Sequence, residues 1–201
     1  MKDFLLSFTF KGTRNYIQGP DIYTKILEYL NTEQFRISNI ELSFHKIVRN
    51  NLRGKLFRAE NINSDVSNAA CIFKFTNNLA EPYVIHLFET DDEVTESHLY
   101  YEEKIVDAAS LNIAEKSILL ASPTPYNNIE KIVALNKALL SQLLTDPGKW
   151  YFTKITIDKD VNHQNPDLIA LKLVKNIGSK ITKTVILFDD KEQGFIYFSK
   201  V

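Results

Sequence analysis

The sequence predicts an α+β fold made of two tandem units, each ordered as one strand, one helix and four antiparallel strands. Three observations predict it. A strand-to-helix stretch opens the chain at Lys11–Leu30, KGTRNYIQGPDIYTKILEYL, and four strand-like segments follow. The same order returns after residue 115. Equivalent aromatics keep a near-constant spacing, with Tyr16 answering to Tyr126, Phe35 to Trp150 and Phe75 to Phe188. Two copies of one unit, rather than many short ones, mark a duplicated domain and not a solenoid.

The apolar run Phe4–Phe10 reads as the first strand. A polar loop with Arg14, Asn15, Tyr16 and Gln18 leads to Gly19, Pro20 and Asp21. Proline suits a first helical turn because the N–H it lacks has no partner there. Asp21 sets a negative charge at the positive end of the helix dipole. Ile22, Tyr23, Ile26, Leu27 and Leu30 fall three and four apart, which makes one face apolar. Phe35–Val48 alternates as a long half-buried strand, and Leu52–Ala59 returns after the polar turn Arg49-Asn50-Asn51. A polar loop, Glu60–Asn68, precedes a hairpin formed by Cys71–Phe75 and Tyr83–Phe88.

Thr90-Asp91-Asp92-Glu93 has the form of a capping box, so a connecting helix is expected over Asp91–Ala109. In the second unit, Ile118–Ala121 is a short strand and Ser122–Asn128 a polar turn. Ile129–Leu144 is a helix apolar around most of its circumference, as burial on more than one side requires. Trp150–Ile157, Leu168–Val174, Thr184–Phe188 and Phe195–Phe198 supply four strands, the last two joined around Asp189-Asp190-Lys191-Glu192. The expected boundaries are 1–90 for the first unit, 91–115 for the connection and 116–201 for the second.

Composition narrows the classes of function. The 201 residues carry 24 Lys and Arg against 25 Asp and Glu, a formal net charge of −1, so no overall field favours nucleic acid or an anionic membrane. One cysteine, Cys71, rules out an intramolecular disulfide framework and suits a reducing compartment. No apolar run has the length of a membrane span, and MKDFLLSFTFKG lacks the form of a secretory signal, so a cytoplasmic protein is expected.

The element order resembles the hotdog fold, and two copies in one chain resemble a double hotdog, with antiparallel sheets joined side by side around two central helices. The resemblance covers nearly the whole chain as topology and has no signature motif behind it. It implies an acyl thioester, carried on coenzyme A or an acyl carrier protein, bound between the units near the start of a central helix. Free N–H groups there can polarise a thioester carbonyl. Hydrolysis or transfer of the acyl group is the implied reaction, with no cofactor beyond the acyl carrier itself. A binding or assembly protein of the same fold is the alternative, and self-association into a homo-oligomer stays open. Hydroxyacyl dehydratases of the superfamily place a His in a His-Phe-Pro-Gly type sequence before the helix. Here Arg14–Gly19 holds no His, so dehydration is disfavoured.

Asp21 is the candidate general base, or simply a helix-start carboxylate. Arg14 is the candidate partner for a phosphate or carboxylate, or a locally paired surface arginine. Asn15, Tyr16, Gln18 and Gly19 would line the substrate, joined by Tyr126, Asn127 and Asn128 from the second unit. Glu28 and Glu130 are further carboxylates on the two helices. His45, His86, His98 and His163 show no metal-ligand spacing, and Ser7, Ser43 and Ser122 lack a Gly-x-Ser-x-Gly turn. Cys71 reads as a small buried apolar residue.

Overall fold

Alternating apolar residues form sheet strands in both halves of the chain, which divides at Tyr100–Tyr101. The structure is a computed structural model and describes residues 2–61, 67–121 and 124–201. Parts of the expected Glu60–Asn68 loop and Ser122–Asn128 turn, including Ser122, lie outside these residues.

The first unit contains β1 (Lys2–Leu6), β2 (Phe10–Lys11), α1 (Gly19–Thr32), β3 (Ser38–Phe44), β4 (Asn50–Arg58), β5 (Cys71–Thr76), β6 (Pro82–Glu93) and β7 (Ser97–His98). Five of these strands form an antiparallel sheet in the order β1-β4-β6-β5-β3. The face of α1 predicted from spacing is the face that is buried: Ile22, Tyr23, Ile26, Leu27 and Leu30 all lie inside. Tyr29 stacks on Phe4 with ring centroids 3.6 Å apart. Gly54, opposite Phe4 in register, leaves room for that ring, since a Cβ there would lie 2.2 Å from Phe4 Cζ.

The second unit contains α2 (Glu103–Asp107), β8 (Ser110–Asn112), β9 (Ser117–Leu120), α3 (Asn128–Leu143), β10 (Trp150–Lys159), β11 (Ile169–Ile177), β12 (Ile181–Phe188) and β13 (Lys191–Lys200). Its antiparallel order is β10-β13-β12-β11-β9-β8. Ile129, Ile132, Leu135, Leu139 and Leu140 of α3 are fully buried, and Ala134 and Asn136 nearly or fully so. Burial therefore extends around more of α3 than of α1, as its all-round apolar character predicts.

The units repeat in chain order but not in sheet order. In the first, β6 lies between β4 and β5; in the second, β12 sits directly between β11 and β13. Connection length explains the difference. β11 and β12 are joined by Gly178-Ser179-Lys180 alone, with Gly178 and Ser179 at φ 55° and 53°. That is the left-handed backbone of a tight hairpin, which forces the two strands to be neighbours. β4 and β5 are separated by residues 59–70, enough chain to place another strand between them.

The connecting helix expected over Asp91–Ala109 is not formed. β6 runs on to Glu93, the chain pairs again at Ser97–His98, and only Glu103–Asp107 is helical. The Thr90-x-x-Glu93 capping signal is overruled by the neighbouring strand. Asn51 Nδ2 donates to Asp92 Oδ2 at 2.7 Å, Thr90 Oγ1 donates to the Asn51 carbonyl at 3.1 Å, and Asn50 Nδ2 donates to the Thr90 carbonyl at 2.9 Å.

Candidate functional site

The loop from β2 to α1 gathers charge at the amino end of α1. Gly12 turns the chain at φ +61°, a left-handed conformation that suits glycine. Its amide donates to the His98 carbonyl at 2.8 Å, and the Phe10 amide to the Glu96 carbonyl at 2.8 Å. These bonds, and the parallel pairing of β2 with β7, bring Tyr100 alongside the loop. Lys11 Nζ lies 4.6 Å from the centroid of the Tyr100 ring and Arg14 Cζ 5.8 Å from it. One aromatic ring thus serves two cations.

The Lys11 ammonium is almost wholly withdrawn from water, with its side chain 8% exposed, and it contacts Asp21 Oδ1 at 2.5 Å. Asp21 lies in the first turn of α1. The Gln18 amide, placed with its oxygen toward Arg14, accepts from Nη1 at 2.8 Å and Nε at 3.1 Å. Gln18 is the residue flanking the start of α1 and makes no side-chain cap. Its side chain is committed to the guanidinium instead. The amides of Asp21 and Ile22 both donate to the Gln18 carbonyl, at 3.0 and 3.2 Å. Pro20 has no N–H, so any first-turn donor for a ligand carbonyl narrows to the amides of Gln18 and Gly19.

Arg14, Gln18 and Asp21, expected from the sequence, therefore come together with Lys11 and Tyr100, which were not expected. Asn15 is exposed and Tyr16 half-buried on the same loop. Lys11 ends an apolar run and carries no motif, and Tyr100 is remote in sequence, so nothing local marks either one.

The candidates of the second unit have structural partners. Asn127 and Glu130 form a reciprocal capping box: Asn127 Oδ1 accepts from the Glu130 amide at 3.0 Å, and Glu130 Oε2 from the Asn127 amide at 3.0 Å. Asn128 Nδ2 donates to the carbonyls of Val161 and Gln164, both at 2.8 Å. Tyr126 donates its hydroxyl to the Tyr101 carbonyl at 2.9 Å. In the loop that accepts from Asn128, the buried Asp160 accepts at Oδ1 from the Asn162 amide (2.9 Å), and its Oδ2 meets His163 Nδ1 at 2.9 Å. The Asn128 bonds fasten the 160–164 loop to the start of α3, and the Asp160 contacts brace the loop internally. Among the described residues no group of three or more His, Cys, Asp or Glu side chains is placed to hold a metal ion.

Cys71 is fully buried on β5, and burial pushes its thiol well above the ordinary range, so it is no nucleophile in the folded chain. His86, on β6, is 2% exposed beside Phe57 and Phe88, at ring-centroid distances of 5.4 and 6.4 Å. Burial, and then the charge of Lys74, hold its imidazole below 6.5.

No protein-family model matches the chain, and no curated protein matches its sequence. Solved structures match it in shape. The pyran synthase domain from module nine of the sorangicin pathway superposes with a TM-score of 0.51 at 8% identity, over 98% of this chain and 91% of that one. A tesB protein from Mycobacterium avium subsp. paratuberculosis gives 0.49 at 9% identity, over 98% and 91% of the two chains. The dehydratase domain of PpsC from Mycobacterium tuberculosis, in complex with C12:1-CoA, gives 0.45 at 8% identity, over 92% and 85%. At such identities the likeness is one of fold, and it is the fold that the repeated element order led us to expect.

Proposed function

We propose that this chain, a tandem hotdog protein, binds an acyl thioester at the amino end of α1 and hydrolyses or transfers the acyl group there. The observation that carries the reading is the gathering of Lys11, Arg14 and Asp21 around the first turn of that helix. In hydrolysis, a water oxygen forms the new bond to the acyl carbon as its proton passes to Asp21. The C–S bond then breaks, and the proton is returned to the leaving thiolate. First-turn amides, with Lys11 close by, would favour the negative charge that develops on the carbonyl oxygen. Arg14 would exchange its Gln18 contact for a phosphate of the carrier, coenzyme A or a phosphopantetheine arm, which a guanidinium meets with two parallel hydrogen bonds.

One observation favours a second reading, a binding protein that consumes no thioester. Asp21 Oδ1 already faces the Lys11 ammonium at 2.5 Å and the Arg14 guanidinium is already on Gln18, so the chain itself occupies both candidate groups. Release of free thiol from a panel of acyl-coenzyme A and acyl-carrier thioesters separates the two. Turnover that falls at least 100-fold in Asp21→Asn and in Arg14→Gln, with melting followed in parallel, supports the enzyme and this site. Turnover untouched by both changes removes the site. Saturable binding of the thioesters without thiol release supports the second reading.

A further inference from the structure

The hairpin of β11 and β12 has a composition that the acyl site does not explain. From Ile169 to Phe188 it carries four lysines and no acidic residue, in a chain with 24 Lys and Arg against 25 Asp and Glu overall. Lys172 is paired with Glu115 at 2.8 Å. Among the described residues no carboxylate is paired with Lys175, Lys180 or Lys183. Register puts Lys175 directly opposite Lys183, a cross-strand arrangement of like charges that costs stability. Beyond Lys183 stands Tyr197 of β13, and the Lys183 ammonium lies 3.5 Å from the centroid of the Phe195 ring.

The same hairpin also exposes three aliphatic side chains. Ile177 and Ile181 are paired at its tip and are 52% and 47% exposed, and Val174, at a bulge in β11, is 51% exposed. The tip projects: a Cβ placed on Gly178 would meet no atom within 4 Å. The hairpin thus carries bare aliphatics flanking an open turn and unneutralised lysines in and behind that turn. It suits a broad, deformable, anionic surface better than the matched pocket of a folded partner. Aliphatic side chains can enter the boundary between headgroups and acyl chains while lysine stems reach back to phosphates.

We infer that the β11–β12 hairpin docks the protein onto a lipid surface bearing anionic headgroups, through Ile177, Ile181 and Val174 with Lys175, Lys180 and Lys183. The full chain is sedimented with vesicles of phosphatidylcholine alone, and of phosphatidylcholine with 30 mole per cent phosphatidylserine, at low and at high salt, on the order of 0.05 and 0.5 M. The expected result is binding to the anionic vesicles only, weakened at least tenfold by high salt. Lys175→Gln/Lys180→Gln and Ile177→Ser/Ile181→Ser should each weaken binding about tenfold or more, with melting close to that of the parent because these four side chains are exposed. Failure to bind anionic vesicles overturns the inference, as does binding unchanged in both variants. Retention on a polyglutamate resin that the lysine variant loses, without vesicle binding, overturns it in favour of an acidic protein partner. None of these outcomes depends on thioester turnover.

Discussion

Lys11 and Asp21 hold each other at 2.5 Å across the loop that starts α1, with the lysine side chain 8% exposed and the carboxylate side chain 21% exposed. An ammonium this far from water is tolerable only with its counter-charge in place, because the desolvation of a charge is costly unless it is paired. The pair ties β2 to the first turn of α1 and so fixes the loop that carries Arg14 and Gln18. Whatever chemistry the site performs, its geometry rests on this contact.

Removing both partners should therefore cost less than the sum of the two single losses. Lys11→Met leaves a carboxylate without its main counter-charge, and Asp21→Asn leaves a buried ammonium in the same position. Each should lower stability by about 2–3 kcal/mol, whereas Lys11→Met/Asp21→Asn should cost about 1–2 kcal/mol less than the sum of the two. Urea titrations of the four proteins measure the coupling. Strictly additive losses would show that the two charges do not depend on one another.

Two of the substrate-lining candidates should part company in the same assay. Asn127 supplies half of the capping box at the start of α3, while Asn15 is exposed on the first loop. Asn127→Ala should cost about 1 kcal/mol through the lost cap, and Asn15→Ala should stay within about 0.5 kcal/mol of the parent. Equal effects of the two changes on stability would mean that the cap does not hold the helix. Thioester binding lost in Asn15→Ala, with stability unchanged, would give that residue a ligand role.

The sequence carries the strands and the two long helices because each writes its burial as a local period: two in Leu52, Gly54 and Leu56, three to four in Ile22, Ile26 and Leu30. It misleads where local and distant signals compete. Thr90–Glu93 spells a helix start, yet Asn50 and Asn51, some forty residues earlier, hold the same segment as strand. Lys11 and Tyr100 escape for a related reason, because their meaning arises from a contact between segments that no period links. The different strand orders of the two units do have a trace in the sequence: Gly178-Ser179 permits only a tight hairpin, and the long 59–70 connection does not.

His86 makes the last prediction, a pH dependence of stability. It is 2% exposed between Phe57 and Phe88, and burial followed by the charge of Lys74 lowers its pKa from 6.5. The unfolded chain therefore binds this proton more readily than the folded one. Its stabilising share is fully present above pH 6.5 and is lost as the pH falls through the lower folded value. Glu89 does not blur this window. Burial pushes its carboxyl up, but hydrogen bonds from the Arg49 amide at 2.6 Å, the Lys46 ammonium and the Asn50 amide outweigh that and hold it below 4.5. Melting temperatures taken from pH 7.5 down to pH 5 should fall in the parent, and the slope should flatten in His86→Gln even if that variant is less stable throughout. An identical slope in the two proteins would mean that His86 takes up its proton as easily in the folded chain as in the unfolded one.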